Sequence, residues 1–232
     1  MKLHYSGKTK DVYELANGNY LLVFKDSVTG SDGVFDPGAN TVGLEIPGIG
    51  RQNLAVSTFF FEGLEAAGIP THYVASDLEA GTMEVLPARS YGHGVEVICR
   101  FRAVGSFLRR YGLYAKAGDR LPGPYVEMTL KDDGRGDPLI TREGLEALGI
   151  MSGADYDAIV DQTRRISNWI YALLERHELC LYDIKLEYGY SEDGEPFLID
   201  EISSGNMRVY RPDGKILEPQ ELYQLLLAER AN

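Results

Sequence analysis

Cations, cysteines and long apolar runs are what this chain is short of. Against 35 acidic residues it carries 23 lysines and arginines, a formal net charge of -12. Nucleic-acid binding draws most of its affinity from positive charge set against phosphates, so a general nucleic-acid binder is excluded and only local clusters of cations remain to meet small anions. The two cysteines, Cys99 and Cys180, lie in apolar strand-like runs. Two are too few for a disulfide framework or a four-cysteine zinc site, and free buried thiols in a reducing cytoplasm are expected. No apolar run approaches the roughly 20 residues that span a bilayer. The opening MKLHYSGKTK has no apolar core of a signal peptide, so neither membrane insertion nor export is expected.

What is present is the balance of a globular enzyme, 44% hydrophobic and 25% charged residues, in a chain long enough to bury a core without metal or disulfide staples. Short apolar stretches from Leu3 to Phe24, broken at Ser6-Gly7 and Asn17-Gly18-Asn19, predict strands joined by tight turns. Asp32 to Arg51 is rich in Gly and Pro without a period and reads as a long loop. Leu54, Phe61 and Leu64 predict a helix over 53–67, stopped by Gly68 and Pro70. Thr71 to Phe107 is rich in Val, Ile, Tyr and Phe and reads as sheet. A lobe boundary is expected at Gly92 to Gly94, dividing the chain into 1–92 and 93–232. The apolar series Tyr156, Ile159, Val160, Ile166, Trp169, Ile170, Leu173 and Leu174 predicts an amphipathic helix. A hairpin of Cys180 to Tyr188 and Pro196 to Ile202 follows, and Pro219 opens a terminal helix.

The hairpin carries the most chemistry. Asp183, Lys185 and Glu187 alternate and so project from one strand face, with Tyr182, Ile184 and Leu186 on the other. Three charged groups in a row need water, partners or a ligand, since unpaired burial costs several kcal/mol each; a solvated sheet face would also satisfy them. Asp200-Glu201 on the return strand adds carboxylates near Glu187. Hard oxygens from adjacent strands suit Mg²⁺, which takes one or two protein carboxylates and fills its shell with water and nucleotide phosphates, so Glu187 and Asp200 are the ligand candidates. Gly7-Lys8-Thr9-Lys10 forms a turn where lysines could meet phosphates, though a surface lysine pair is the commoner meaning of such a tetrapeptide. Arg100, Arg102, Arg109 and Arg110 surround Gly105-Ser106, and planar guanidinium forks with hydroxyl and amide donors suit an anion. An ion-pair network with surface carboxylates is the alternative.

In sequence order, Gly7 to Tyr13, Arg100 to Gly112, Lys131-Asp132-Asp133 with Asp137-Pro138, Asp183 to Gly189, and Asp200 to Ser203 with Arg208 resemble the blocks of phosphoribosylaminoimidazole-succinocarboxamide synthases. The likeness covers nearly the whole chain. It implies an α+β, two-lobed fold, sheet-rich at the N-terminus, with a larger C-terminal α+β lobe and ATP in the cleft. The implied activity joins a carboxylated aminoimidazole ribonucleotide to L-aspartate at the expense of ATP in purine biosynthesis, through an acyl phosphate. Carried over by position, Lys8, Lys10 and Lys131 face ATP, and Glu187 and Asp200 are metal and ATP-site carboxylates. Arg100, Ser106 and Arg208 hold the ribonucleotide phosphate, and Asp183 and Lys185 line the aminoimidazole side as the catalytic pair. Monomer and homo-oligomer stay open.

Two departures from the family pattern fall on the substrate side. A Ser-Pro-Asp stretch gives way to Ser203-Ser204-Gly205, putting glycine where a carboxylate is expected near the ribonucleotide, with Asn206 as the expected replacement contact. Ile49-Gly50 replaces the Lys-Gly pair that opens the first helix. A paralogous ligase for another carboxylated nucleotide or amine is therefore the alternative activity, and a nucleotide-binding protein without turnover is a third reading.

Overall fold

The computed structural model describes residues 1–39 and 41–227. The chain divides into two compact units. The first comprises Met1–Pro87, Glu201–Asn206 and the chain from Leu217 on; the second comprises Ala88–Asp200 and Met207–Ile216. The division thus falls at Pro87, and two later segments return to the first unit, which a single cut near Gly92 does not provide for.

In the first unit, β1 (Lys2–Ser6), β2 (Lys10–Glu14) and β3 (Tyr20–Phe24) form an antiparallel meander. The turn before β2 closes through Gly7 N–H to Lys10 O at 2.8 Å. Next come β4 (Ser27–Ser31), β5 (Val34–Phe35) and β6 (Val42–Glu45), a three-stranded sheet with β4 at its centre. The stretch from Asp32 is therefore partly strand and not one long loop. Gly33 turns the chain between β4 and β5 at φ 78°, while Gly43 serves close packing: a Cβ there would lie 2.4 Å from the Gly30 carbonyl carbon. Val28, Phe35 and Ile49 form a small core there, with Leu44 and Ile46 against it.

Helix α1 (Ile49–Ala66) starts four residues before the predicted position. Its first turn is capped from a distance, since the Asp26 carboxylate accepts from Gly48 N–H at 2.9 Å and Gly50 N–H at 3.0 Å. That carboxylate does the work of an N-cap side chain. Strands β7 (Tyr73–Asp77) and β8 (Thr82–Val85) complete a sheet in the order β1-β2-β3-β8-β7.

The second unit is built on a seven-stranded sheet. Its elements are β9 (Arg89–Ser90), β10 (Val95–Arg102), α2 (Ser106–Tyr111), β11 (Arg120–Leu130), β12 (Leu139–Ile140), α3 (Arg142–Ala147), α4 (Gly153–Glu175), β13 (Cys180–Tyr190), β14 (Pro196–Ile199) and β15 (Met207–Tyr210). Strand β13 is the hub, pairing with β10, β14, β15 and β9. Ser152 caps α4 by accepting from Asp155 N–H at 3.1 Å. Ile159, Ile166, Ile170 and Leu174 of α4 are fully buried, as are Val97, Cys99, Ile184 and Leu198 of the sheet. Each such side chain contributes roughly 1.5–3 kcal/mol on removal from water. Thr163 Oγ1 donates to the Tyr188 hydroxyl at 2.9 Å, tying α4 to β13. Helix α5 (Pro219–Leu227) packs on α1 in the first unit.

Candidate active site

Strand alternation gives the second unit's sheet two chemically opposite faces. Asp183, Lys185 and Glu187 of β13 face away from Ile184 and Leu186, and register carries this across the neighbours. Arg100 stands opposite Asp183, Ile98 opposite Lys185 and Glu96 opposite Glu187. On the other side of β10, Glu96 meets Thr129 and Ile98 meets Glu127, while β15 sets Arg208 opposite Asp183. In-register partners share a face. Acids and bases of four strands are thus gathered on one surface, while the reverse surface belongs to the core.

At one end of this surface, Lys131 Nζ donates to Glu187 Oε1 at 2.7 Å. Lys185 Nζ donates to Glu96 Oε1 at 2.7 Å, and Thr129 Oγ1 holds the other Glu96 oxygen at 3.2 Å. Burial, and then the nearby Asp200, push the Glu187 carboxyl above the usual range. Burial alone would lower Lys131, but Glu187 and then Asp200 more than offset it and raise the lysine. Lys185 is raised in the same way, against burial, chiefly by Glu96 and Glu187. Both ammonium groups are therefore charged at neutral pH. Asp200 itself has φ 67°, a left-handed backbone rare for residues other than glycine and often found at functional sites.

These residues fit Mg²⁺. Two hard-oxygen groups repel one another in a partly buried setting, and burial with Asp200 raises the Glu187 carboxyl in spite of its Lys131 and Lys185 neighbours. Among the described residues no cluster of three or more His, Cys, Asp or Glu could hold a metal. An ion held here has to complete its shell with water or phosphate, the habit of Mg²⁺.

At the other end, Arg100 is 2% exposed and every N–H of its guanidinium is engaged. Nε donates to Glu127 at 3.0 Å, Nη2 to Glu127 at 2.8 Å and to Ser106 Oγ at 2.7 Å, and Nη1 to Val104 O at 3.3 Å and to Asp183. Arg208 Nη1 donates to the same Asp183 oxygen at 2.9 Å. Gly105, at φ 57°, lets the backbone lie against the Arg208 guanidinium, where a Cβ would sit 2.9 Å from Nη1. Asp183 is thus a shared anion between two arginines, and Arg100 is an interior residue of an ion-pair network.

The first unit holds Lys8 and Lys10. Lys8 is exposed in the turn. Lys10 is buried and ion-paired with Glu201, with the Phe24 ring 5.7 Å from its Nζ. Lys25 braces the turn, donating to Gly7 O at 3.0 Å and pairing with Asp11 at 2.6 Å. Segment Glu201–Asn206 is tied to α1 by Ile202 N–H to Ser57 Oγ at 3.1 Å and by Ser204 Oγ to Asn53 Oδ1 at 2.8 Å. The expectation for Asn206 is corrected here. It is buried; its Oδ1 accepts from Ser203 N–H at 2.9 Å and its Nδ2 donates to Glu201 O. Its amide folds the segment, each end already holding a backbone group.

The structure therefore joins Arg100, Ser106, Asp183 and Arg208 in one network, and Lys131, Lys185, Glu187 and Asp200 in another. Sequence reasoning missed Glu96 and Glu127, which balance the second and first of these. Their signal was present as single acids alternating with apolar residues in Val95-Glu96-Val97 and Val126-Glu127-Met128. Only register shows what they face.

An antiparallel sheet with one face given over to paired lysines, arginines and carboxylates defines an α+β protein equipped for several anionic groups at once. The chain belongs to the SAICAR synthetase family, whose profile matches residues 3–222. It is 55% identical over 228 residues to the phosphoribosylaminoimidazole-succinocarboxamide synthase of Clostridium tetani, covering 98% of this chain and all of that one. Solved SAICAR synthetases share the architecture. One superposes with a TM-score of 0.80 at 30% identity, covering 98% of this chain and 92% of the other. A second, in complex with ADP, gives 0.84 at 26% identity, covering 97% of both chains. Among the described residues no helix is long and apolar enough to cross a membrane.

Proposed function

We propose that this chain is an ATP-dependent carbon-nitrogen ligase of purine biosynthesis. It condenses 5-amino-1-(5-phospho-D-ribosyl)imidazole-4-carboxylate with L-aspartate to give the succinocarboxamide, ADP and phosphate. A carboxylate oxygen of the ribonucleotide attacks the γ-phosphorus of ATP as the bond to ADP breaks. The aspartate amine then adds to the acyl carbon, loses a proton, and phosphate departs with the transferred oxygen.

All three substrates are anions, so the protein's task is to hold like charges together and stabilise what develops between them. Lys8, Lys10 and Lys131 are assigned to ATP, Lys10 exchanging its Glu201 partner for phosphate. Glu187 and Asp200 would hold Mg²⁺, which when bound supplies positive charge against the nucleotide phosphates. Arg100, Ser106 and Arg208 are assigned to the ribonucleotide phosphate, Arg100 exchanging its 3.3 Å contact with Val104 O for a phosphate oxygen. Lys185, kept protonated by Glu96, is assigned to the carboxylate being activated. Asp183 belongs to the aminoimidazole side and steadies both arginines through one oxygen.

The observation that carries this reading is the face shared by Lys131, Glu187, Lys185 and Glu96, alternating in charge and at 2.7 Å contact. The test incubates purified protein with ATP, Mg²⁺, the ribonucleotide and each of several amino acids, following ADP release and product mass. Succinocarboxamide from L-aspartate is expected at the highest kcat/KM. ADP release with another amino acid only, or none with any, would overturn the assignment.

A further inference from the structure

One carboxylate on the charged face has no part in that reaction. Glu127 lies in the middle of β11, 4% exposed, opposite Ile98. Its Oε1 accepts from Arg100 Nε at 3.0 Å and Nη2 at 2.8 Å, and also from Arg110 Nη2. Its Oε2 is buried without a hydrogen-bond partner, and so is Arg110 Nε. A buried carboxylate gains most when both oxygens are satisfied. Here three charged donors converge on one oxygen while the other is bare, an arrangement that draws two guanidinium groups to a single point.

The consequence falls on α2. This helix has six residues and no buried side chain of its own, too short for helix propensity to fix its position, although the Phe107 ring meets Tyr125 of β11 edge-on at 5.6 Å between centroids. Polar ties add to that contact at both ends. Ser106 at its start accepts from Arg100 Nη2 at 2.7 Å, and Arg110 in its last turn reaches Glu127. Arg100 and Glu127 are themselves joined, so the four side chains close a ring through β10, α2 and β11. Gly105, the residue before the helix, backs onto Arg208, so Arg208 rests against this ring too.

We propose that Glu127 is a positioning residue for the ribonucleotide-phosphate site, setting Arg100 directly and Ser106 through Arg110 and α2. The inference rests on the assignment of Arg100, Ser106 and Arg208 to that phosphate. Without the carboxylate charge, Arg100 and Arg110 repel one another. Arg110, whose side chain is already 25% exposed, turns to solvent, and α2 loses the polar tie at its last turn.

The test is steady-state kinetics on Glu127→Gln in the full chain, with the KM for ribonucleotide, ATP and L-aspartate measured separately. Glutamine keeps the shape and one acceptor but not the charge. The KM for the ribonucleotide should rise tenfold or more, that for ATP less than twofold, and kcat should change less than the ribonucleotide KM. Arg110→Gln should reproduce the effect, and the double variant should be no worse than either single one, because both remove one contact. A purely structural Glu127 would lower thermal stability and the active fraction while leaving the ribonucleotide KM in place, and that result overturns the proposal. If Glu127→Gln does not fold, Arg110→Gln decides alone, and an unmoved ribonucleotide KM overturns the proposal. Arg100→Gln separates the two levels. If it raises the ribonucleotide KM while the other variants do not, only the role of Glu127 fails. If Arg100→Gln leaves that KM unmoved, the phosphate assignment fails and this proposal with it.

Discussion

Replacing Glu187 by glutamine should separate activity from stability. The carboxylate is little exposed, faces Asp200 across the end of the hairpin, and is held above the usual range by burial first and by Asp200 second. Its charge therefore carries a cost in the folded protein, offset by Lys131 at 2.7 Å and by Lys185. Glutamine removes the repulsion with Asp200 and keeps an oxygen that accepts from Lys131. The loss is the charge assistance of one hydrogen bond at a lysine whose side chain is 45% exposed, about 1 kcal/mol. Relief of the carboxylate repulsion is of the same order and opposite sign. For a chain of this size 1 kcal/mol shifts Tm by about 2–4 °C, so the variant should melt within that range of the native protein. Turnover should fall about 100-fold or more, the scale on which an electrostatic site loses one group. Differential scanning fluorimetry and coupled ADP release measure the two quantities. A variant that melts far below the native protein, or that turns over normally at limiting Mg²⁺, would show that Glu187 is a structural ion-pair partner.

Three further outcomes are expected. Arg208→Ala should weaken ribonucleotide binding and Lys8→Ala ATP binding, each by roughly 1.5–3 kcal/mol; separate calorimetric titrations check this, and loss of ATP affinity alone in both variants would break the assignment. Asp26→Ala removes the acceptor for Gly48 and Gly50 and should cost about 0.5–2 kcal/mol in urea unfolding; an unchanged midpoint would show that water replaces the cap at no cost. Burial pushes the Cys99 thiol up to about 11, so about one part in a thousand is thiolate at pH 8. Mass spectrometry after iodoacetamide treatment should find Cys180 modified in the native protein and Cys99 only after unfolding, and equal rates would contradict the packing of α4.

How much was legible in the sequence depended on the range over which each feature is determined. The stripe of α4, its Ser152 cap and the alternation of Asp183, Lys185 and Glu187 are set by neighbours within a few residues, and periodicity exposed them. The start of α1 is set by Asp26, more than twenty residues earlier, and no local signal marks it. Strands β5 and β6 hid in a glycine-rich run because glycines that serve close packing, such as Gly43, and glycines that make turns, such as Gly33, are not told apart by composition. At the site, the residue types were readable but their partners were not. Arg100 read as an anion fork or a member of an ion-pair network, and only the structure shows it between Glu127 and Asp183; Asn206 read as a ligand contact, yet its own segment uses both ends of its amide. Both outcomes follow from strand register and loop closure, which composition and spacing do not encode.

The two-faced sheet also limits how such a chain can change. Inserting or deleting one residue within β13 would turn Asp183, Lys185 and Glu187 into the packing layer beneath α4 and expel Ile184 and Leu186, losing chemistry and core together. Length changes in this region are therefore confined to connections such as the turn at 191–195, and the strands can diverge only by exchange of one side chain for another. Alternate positions along β10, β11 and β13 answer to different demands, solubility of charge on one side and volume on the other. A substitution scan of these strands should resolve into two interleaved sets, one read by catalysis and the other by thermal unfolding.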